Sequence, residues 1–364
     1  MNEGNRYNRQ IILPEIGEEG QQKLSKAKVL VIGAGGLGAS ILPYLAAAGV
    51  GEIGIVDDDD IEVSNLHRQV IYKTAAVGKS KAEEAGLMIS ELNPEIKVNV
   101  FAERLSGKNA ISLFEAYDII VDATDSISIK YLINDACLVT NKPMVYGSVF
   151  RFQGQVSVFN FQNGPTYRCL YPAESSNAIN CEEAGVIGIT VGIIGMLQAN
   201  EVIKMIIGIG DVLSGKILVY TILNNEQQKY DFDRSSIFEM TKEDFDGKYN
   251  SIESEVPEIK FDFISEEIDN DEILFLDVRN DEELPKISIK NQIQIPLKNL
   301  ENEIQKFDKN QTIYVFCQSG IRSKLAVELF QKHQFKNVKS IEGGALALNQ
   351  FYRLQKKFLI YDRK

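Results

Sequence analysis

The chain has 364 residues, 44% of them hydrophobic and 25% charged, a balance that fits a soluble globular protein of about two domains with a sizeable core. A formal net charge of -12 argues against non-specific binding to nucleic acid or an anionic membrane, because both attract basic surfaces. Cys137, Cys169, Cys181 and Cys317 lie far apart with no CxxC pair, and only His67 and His333 accompany them, so neither a disulfide framework nor a zinc ribbon is readable. The expected partner is a protein or a small molecule.

Taken in chain order, Met1 to Gln10 is polar and has no apolar stretch of the kind a secretory signal carries, so a reducing cytoplasm is the expected location. From Lys28 the pattern is strand (Val29 to Ile32), glycine turn, helix (Ala39 to Ala48) and strand (Glu52 to Val56). That is a βαβ unit, and it implies a parallel sheet. Short apolar runs at Val98 to Phe101, Ile119 to Val121 and Met144 to Tyr146 alternate with helical stretches at Lys79 to Leu92 and Ile127 to Val139. The expected fold class is therefore α/β, a doubly wound, Rossmann-like domain with a mainly parallel sheet. Gln155 to Phe161 and Lys216 to Leu223 read as later, partly antiparallel strands. The apolar run from Val186 to Leu197 is shorter than the roughly 20 residues a membrane span needs and reads as a helix buried in the core.

Between Arg234 and Glu258 apolar periodicity fades among charged and small polar residues, which places a linker there. Beyond it a second α/β rhythm runs through Ile273 to Asp277, Ile293 to Leu297, Thr312 to Phe316, a helix at Ser323 to Gln331, and Val338 to Ile341. The expected division is 1–245 for the first domain, 246–258 for the linker and 259–364 for a small second domain.

Gly33, Gly35 and Gly38, with Gly36 between them, make a GxGxxG turn between strand and helix. There a tight turn and the helix N-terminal amides can approach phosphates. Asp57, at the end of the next strand, is placed for ribose hydroxyls, so a dinucleotide is one reading. The following segment adds Asp59, Asn65, Arg68 and Lys81, and Asp125 follows the strand IIVDAT. An acid, an amide and two cations near a strand end suit a triphosphate, since phosphoryl and nucleotidyl transfer put positive groups and a metal on developing charge. Solvated surface charge is the other reading of Arg68 and Lys81.

The motifs Arg6-Tyr7-Asn8-Arg9-Gln10, GAGGLG, DDDDIEVSNLHRQ from Asp57 to Gln69, VGKSK ending at Lys81 and DATDS around Asp125 occur in the order found in the ubiquitin-activating-like adenylyltransferases. Over about residues 5 to 230 the chain resembles that family, which includes molybdopterin-synthase adenylyltransferase (MoeB) and the ThiF-type thiamine enzymes. The resemblance implies ATP as cofactor, with Asp57 on the ribose, Asn65, Arg68 and Lys81 on the triphosphate, and Asp125 on Mg2+. It also implies a homodimer in which Arg9 reaches the phosphates of the other subunit. The partner it implies is a ubiquitin-like sulfur carrier ending in Gly-Gly. Many relatives bind zinc through two CxxC pairs, but Thr166 stands where the first cysteine would be, so no zinc is expected. Cys181, in NCEEAGV, matches a cysteine proposed in the family to form a thioester or disulfide; a small buried side chain is its alternative. Cys137 and Cys169 read as structural.

In TIYVFCQSGIRSKLAVELF, Cys317 follows a strand directly and Arg322 opens a helix. Backbone N–H groups, the positive helix end and the arginine then favour a thiolate, as a nucleophilic or persulfide-carrying sulfur requires. A tyrosine-phosphatase loop has five residues between cysteine and arginine, whereas four intervene here. Together with LFLDVR ending at Arg279 and IQIPL ending at Leu297, the segment resembles a single-domain rhodanese, lacking the histidine often found before the IPL strand. The two resemblances together imply adenylation of a carrier followed by sulfur transfer from Cys317, with a cysteine desulfurase as the kind of donor expected. A NAD(P)- or FAD-binding oxidoreductase fused to a sulfur module and a scaffold without chemistry are the alternatives, and the sequence does not distinguish molybdopterin, thiamine and other sulfur pathways.

Overall fold

The computed structural model describes residues 6–172, 185–234, 240–250 and 257–259 and, with short gaps, 270–348. It divides into two units, Met1–Ser251 and Ile252–Lys364.

The first unit opens with α1 (Asn8–Ile11) and α2 (Gly17–Lys26), followed by β1 (Lys28–Ile32), α3 (Gly36–Ala48) and β2 (Glu52–Val56). Next come α4 (Lys81–Leu92), β3 (Lys97–Phe101), α5 (Gly107–Glu115), β4 (Ile119–Asp122), α6 (Ile127–Thr140) and β5 (Met144–Phe150). These five strands are parallel, in the order β3-β2-β1-β4-β5. β1 and β4, buried on both faces, read as continuous apolar runs for that reason. The order reverses between β2-β1 and β4-β5, so a crevice opens at the C-terminal ends of β1 and β4, where ligands of such sheets bind.

The sheet continues antiparallel through β6 (Gln153–Phe159), β7 (Lys216–Thr221) and β8 (Glu226–Asp231). β8, whose six residues are all exposed, has no apolar alternation to mark it in the sequence. Between β6 and β7 lie α7 (Tyr167–Leu170) and α8 (Gly188–Ile207). α8 is longer than the apolar run suggested. At 20 residues it is long and apolar enough to cross a membrane by length and composition alone, yet Val191, Ile194, Ala199, Val202 and Ile207 are buried in the core it shares with α3 and the sheet.

α9 (Lys242–Phe245) and a following helical turn (Asp246–Asn250) also belong to the first unit, although residues 246–250 fall where a linker was expected. Two contacts invisible to local pattern hold them. Phe245 is buried in the second core of this unit. Lys248 and Tyr249 reach the buried Asp135 carboxylate at 3.1 and 2.7 Å. Arg168 takes the same carboxylate bidentately at 2.7 and 2.6 Å.

The second unit is a five-stranded parallel sheet: β9 (Glu258–Ile259), β10 (Ile273–Asp277), β11 (Gln292–Gln294), β12 (Thr312–Phe316) and β13 (Val338–Ile341), ordered β11-β10-β12-β13-β9. Helices α10 (Leu297–Glu303) and α11 (Ile321–Lys332) accompany it. β12 lies between β10 and β13, and four of its five residues are buried. Cys317, the next residue, is therefore set rigidly at the end of an inner strand.

Candidate active sites

In the first unit, β1 delivers the glycine turn to the crevice. Gly33 adopts φ +99, a backbone region that side-chain-bearing residues rarely enter, and a Cβ there would lie 2.8 Å from the Ala123 carbonyl oxygen. A Cβ on Gly38 would overlap the Gly33 carbonyl. The turn is thus packed against the end of β4 with no side chain between, and the first N–H groups of its helix have no carbonyl within the helix to bond.

Around this turn the structure gathers several of the expected residues. The Asp57 carboxylate accepts the N–H of Ala34 at 2.7 Å and of Asp59 at 2.9 Å. Burial pushes its pKa up, with those two N–H groups and Lys81 pulling the other way. The Lys81 ammonium, with a side chain only 8% exposed, pairs with Asp59 at 2.8 Å, and the Tyr72 hydroxyl donates to the Ala34 and Lys81 carbonyls. Arg68 bonds the Ser64 carbonyl at 3.0 Å, and its stem passes near Gly36. Asn65 caps a short helical turn through the Glu62 N–H. Gln69, buried, has its side-chain nitrogen close to where a Cβ on Gly35 would be, while its amide oxygen has no partner among the described residues. An orphaned buried acceptor beside a glycine turn suits a site completed by a ligand.

Asp125 stands exposed between β4 and α6, and no hydrogen bond or ion pair engages its carboxylate among the described residues. Mg2+ is commonly held by one or two protein carboxylates plus phosphate oxygens and water, so one unengaged acid beside a glycine turn that phosphates could approach fits it. Among the described residues no group of three His, Cys, Asp or Glu side chains could hold a metal by itself. Thr166 is buried and caps α7, its N–H directed at the Cys169 sulfur at 3.4 Å. Arg9 is not brought to this crevice. Its neighbour Gln10 bonds the Ala48 carbonyl at 3.1 Å, at the other end of α3, roughly 20 Å along that helix from the turn at 1.5 Å per residue. Cys181 lies outside the described residues.

In the second unit, the Gly320 N–H points at the Cys317 sulfur at 3.2 Å, and the Ser323 hydroxyl lies 3.8 Å from it. Gly320 adopts φ +106 and caps α11, so the loop turns its amide inward at the positive end of a 12-residue helix. Cys317 is 1% exposed, and its carbonyl accepts the Ala345 N–H at 2.7 Å. Arg322 is held bidentately by Glu283 at 2.6 Å for both contacts. That pairing lowers the Glu283 pKa and raises that of Arg322. Arg279, buried, pairs with Asp277 at 2.7 Å and also bonds the Pro285 carbonyl and the Gln318 side chain.

Sequence reasoning did not single out Tyr72, Gln69, Glu283 or the Lys130–Asp122 pair under the β4 end. Lys130 carried a signal: it shares a helical face with Ile133 and Cys137, both buried, where a solvated lysine would be misplaced. Glu283 carried none, since only the folded chain brings it to Arg322, 39 residues later.

A glycine turn at the crevice of a doubly wound sheet is thus followed, in the second unit, by a cysteine loop on a small parallel sheet. The chain belongs to the ThiF family, whose model matches residues 7–237, and a Rhodanese-like domain matches residues 262–350. Over 94% of its length it is 39% identical to the probable molybdopterin-synthase adenylyltransferase of Porphyra purpurea, covering 92% of that protein. It is 49% identical to adenylyltransferase and sulfurtransferase MOCS3 of Culex quinquefasciatus over 60% of this chain and 50% of that one, so the match spans about half the length of that relative. The sulfur carrier protein adenylyltransferase of Thermus thermophilus is 45% identical over 62% of this chain and 85% of that protein. Among solved structures, Escherichia coli MccB with ATP aligns at a TM-score of 0.58 and 25% identity, covering 65% of this chain and 73% of that one. These names do not favour the oxidoreductase alternative.

Proposed function

We propose that this chain adenylates the C-terminal Gly-Gly carboxylate of a ubiquitin-like sulfur carrier with ATP and then delivers sulfur to it from Cys317. The observation that carries this reading is the presence, on one chain, of the ThiF match and of a buried cysteine whose sulfur accepts an N–H at a helix N-terminus.

In the first half-reaction a carrier carboxylate oxygen attacks the α-phosphorus of ATP, the bond to the β-phosphate breaks, and pyrophosphate leaves. Asp125 would hold Mg2+, which when bound would neutralise charge on the phosphates. The glycine turn and Gln69 position the nucleotide, Asp57 receives the ribose hydroxyls, and Asn65, Arg68 and Lys81 face the triphosphate. Lys81 meets it by exchanging Asp59 for phosphate oxygens. Arg9, at the far end of α3, would serve the crevice of a second copy, which supports a homodimer. In the second half-reaction the terminal sulfur of a Cys317 persulfide attacks the acyl carbon and AMP leaves. A second thiol, for which Cys181 is the candidate, then attacks the Cys317 sulfur and releases the carrier as thiocarboxylate. A disulfide remains, to be reduced by an external thiol. A cysteine desulfurase carrying a persulfide is the donor class that fits.

The names of the relatives make the small subunit of molybdopterin synthase the first carrier to try and the thiamine carrier the second. Purified chain is expected to exchange pyrophosphate into ATP only with a carrier ending in Gly-Gly. Tight NADH binding with no carrier-dependent exchange would overturn this, and stoichiometric zinc in the purified protein would overturn the zinc-free reading.

A further inference from the structure

We propose that Lys130 is a positioning residue for the adenylation site, holding in place the β4–α6 turn that presents Asp125. This rests on the adenylation reading for its biological meaning, but its physical content concerns ATP and Mg2+ binding alone.

Lys130 sits in α6, 3% exposed, beneath that turn. Its ammonium makes three contacts to two stretches of chain: the Asp122 carboxylate at 2.7 Å and the Thr124 carbonyl at 2.8 Å at the end of β4, and the Gly147 carbonyl on β5 at 2.9 Å. The three donors of an ammonium are thereby used in full, and the Tyr146 ring lies beside it with its centroid at 5.0 Å. The other oxygen of Asp122 accepts the Thr124 N–H and hydroxyl at 3.1 and 2.7 Å. Gln198 of α8 donates to the Asp122 carbonyl at 2.8 Å. Asp122 and Lys130 together therefore fix both ends of Thr124, the residue that precedes Asp125.

Energetics point the same way. A buried ion pair is on average no more stabilising than apolar residues of the same shape, so core stability alone does not account for this one. Its position does distinguish it. The stretch it fixes is the one against which Gly33 packs, with the Ala123 carbonyl 2.8 Å and the Thr124 nitrogen 3.4 Å from where a Cβ on Gly33 would lie. Thr124 and Gly147 lie just beyond β4 and within β5, whose parallel pairing ends at Asp122 and Tyr146. The charge of Lys130 thus ties the two strand ends to each other at the mouth of the crevice. A shift of the turn by a fraction of an ångström would move Asp125 relative to phosphates bound at Gly33, and a Mg2+ ion with near-ideal octahedral demands tolerates little of that.

The test is calorimetric titration of ATP into the full chain with and without Mg2+, for the parent, Asp125→Asn, the paired Lys130→Met with Asp122→Asn, and all three substitutions together. Thermal unfolding serves as the check on fold. The paired variant, which removes both charges at once, is expected to melt close to the parent. Its Mg2+-dependent gain in ATP affinity should fall roughly 10- to 100-fold, the usual effect of losing a group that orients a metal ligand. The triple variant should be no worse than Asp125→Asn, because one pathway has been broken twice. Should the pair fail to fold, Lys130→Arg keeps the charge but cannot place its planar fork on all three acceptors, and an intermediate loss is expected. Parental Mg2+ dependence in the folded variants, losses that add in full to that of Asp125→Asn, or a parent whose ATP affinity ignores Mg2+ would each overturn the proposal. If the binding pattern holds while no carrier elicits pyrophosphate exchange, the positioning role stands and the adenylation reading fails.

Discussion

Both units place a glycine-containing loop between a buried parallel strand and a helix N-terminus, and they differ in what surrounds that loop. At the Gly33 turn Asp125 is exposed and unengaged among the described residues, and the Gln69 amide oxygen lacks a partner. At the Cys317 loop the arginines are already matched by carboxylates of the same unit, Arg322 by Glu283 and Arg279 by Asp277. Both open groups are acceptors, which suits a ligand that brings donors and a cation of its own, as a nucleotide with its hydroxyls and Mg2+ does. Internally matched charge around a buried sulfur suits a covalent sulfur that must be held without gathering stray anions.

Substitutions separate the two. Cys317→Ala should abolish sulfur transfer while leaving carrier-dependent pyrophosphate exchange at the parental rate. Transfer retained in that variant, followed as thiocarboxylate formation, would remove the second site from the account. Asp125→Ala should instead lower exchange by roughly 100-fold, the scale seen when one electrostatic stabiliser is removed, and thiocarboxylate formation with it. Unchanged exchange would mean that the open carboxylate is only surface.

The remaining two concern matched charge. Asp135 is the fully buried node of the first unit, and although burial alone would raise its pKa, Arg168 and Tyr249 hold it below the usual carboxylate range. Asp135→Asn strands Arg168 and should cost about 3 kcal/mol, read as a lower melting transition of the first unit with the second unmoved. Glu283→Gln should cost less, about 1 kcal/mol, because that pair is partly exposed. Its pH behaviour has a definite sign. Arg322 depresses the folded pKa of Glu283, so the pair contributes above the ordinary glutamate value near 4.3 and its contribution fades as pH falls through the depressed value. Acid unfolding of the second unit should flatten over that window in Glu283→Gln, and an identical acid profile in parent and variant would show the pair to be inert.

How far the sequence reaches differs by element. β10, β12 and β13 have the bounds that the sequence suggests: β10 and β12, nearly all buried, advertise themselves as apolar runs, whereas β13, Val-Lys-Ser-Ile, is marked only by its buried apolar ends. β8 is wholly exposed and is defined by pairing with β7, which no local pattern encodes. Residues 246–250 read as polar linker because their attachment lies in Asp135, more than a hundred residues earlier. The glycine turn, Asp57, Asp59, Lys81 and Arg68 were legible as a set because they fall on consecutive strand ends and their loops. What holds them was less legible: Tyr72, Lys130 and Glu283 act through carbonyls or carboxylates whose proximity exists only in the fold.

The central claim is that one chain activates a carrier and also sulfurates it. Incubation of the purified chain with ATP, Mg2+, a persulfide-bearing cysteine desulfurase and a Gly-Gly carrier, followed by intact-mass measurement of the carrier, tests it directly. The account predicts a carrier whose mass shows one oxygen replaced by sulfur, dependent on ATP and on Cys317. A carrier left unchanged, or one sulfurated equally well by Cys317→Ala, would contradict it.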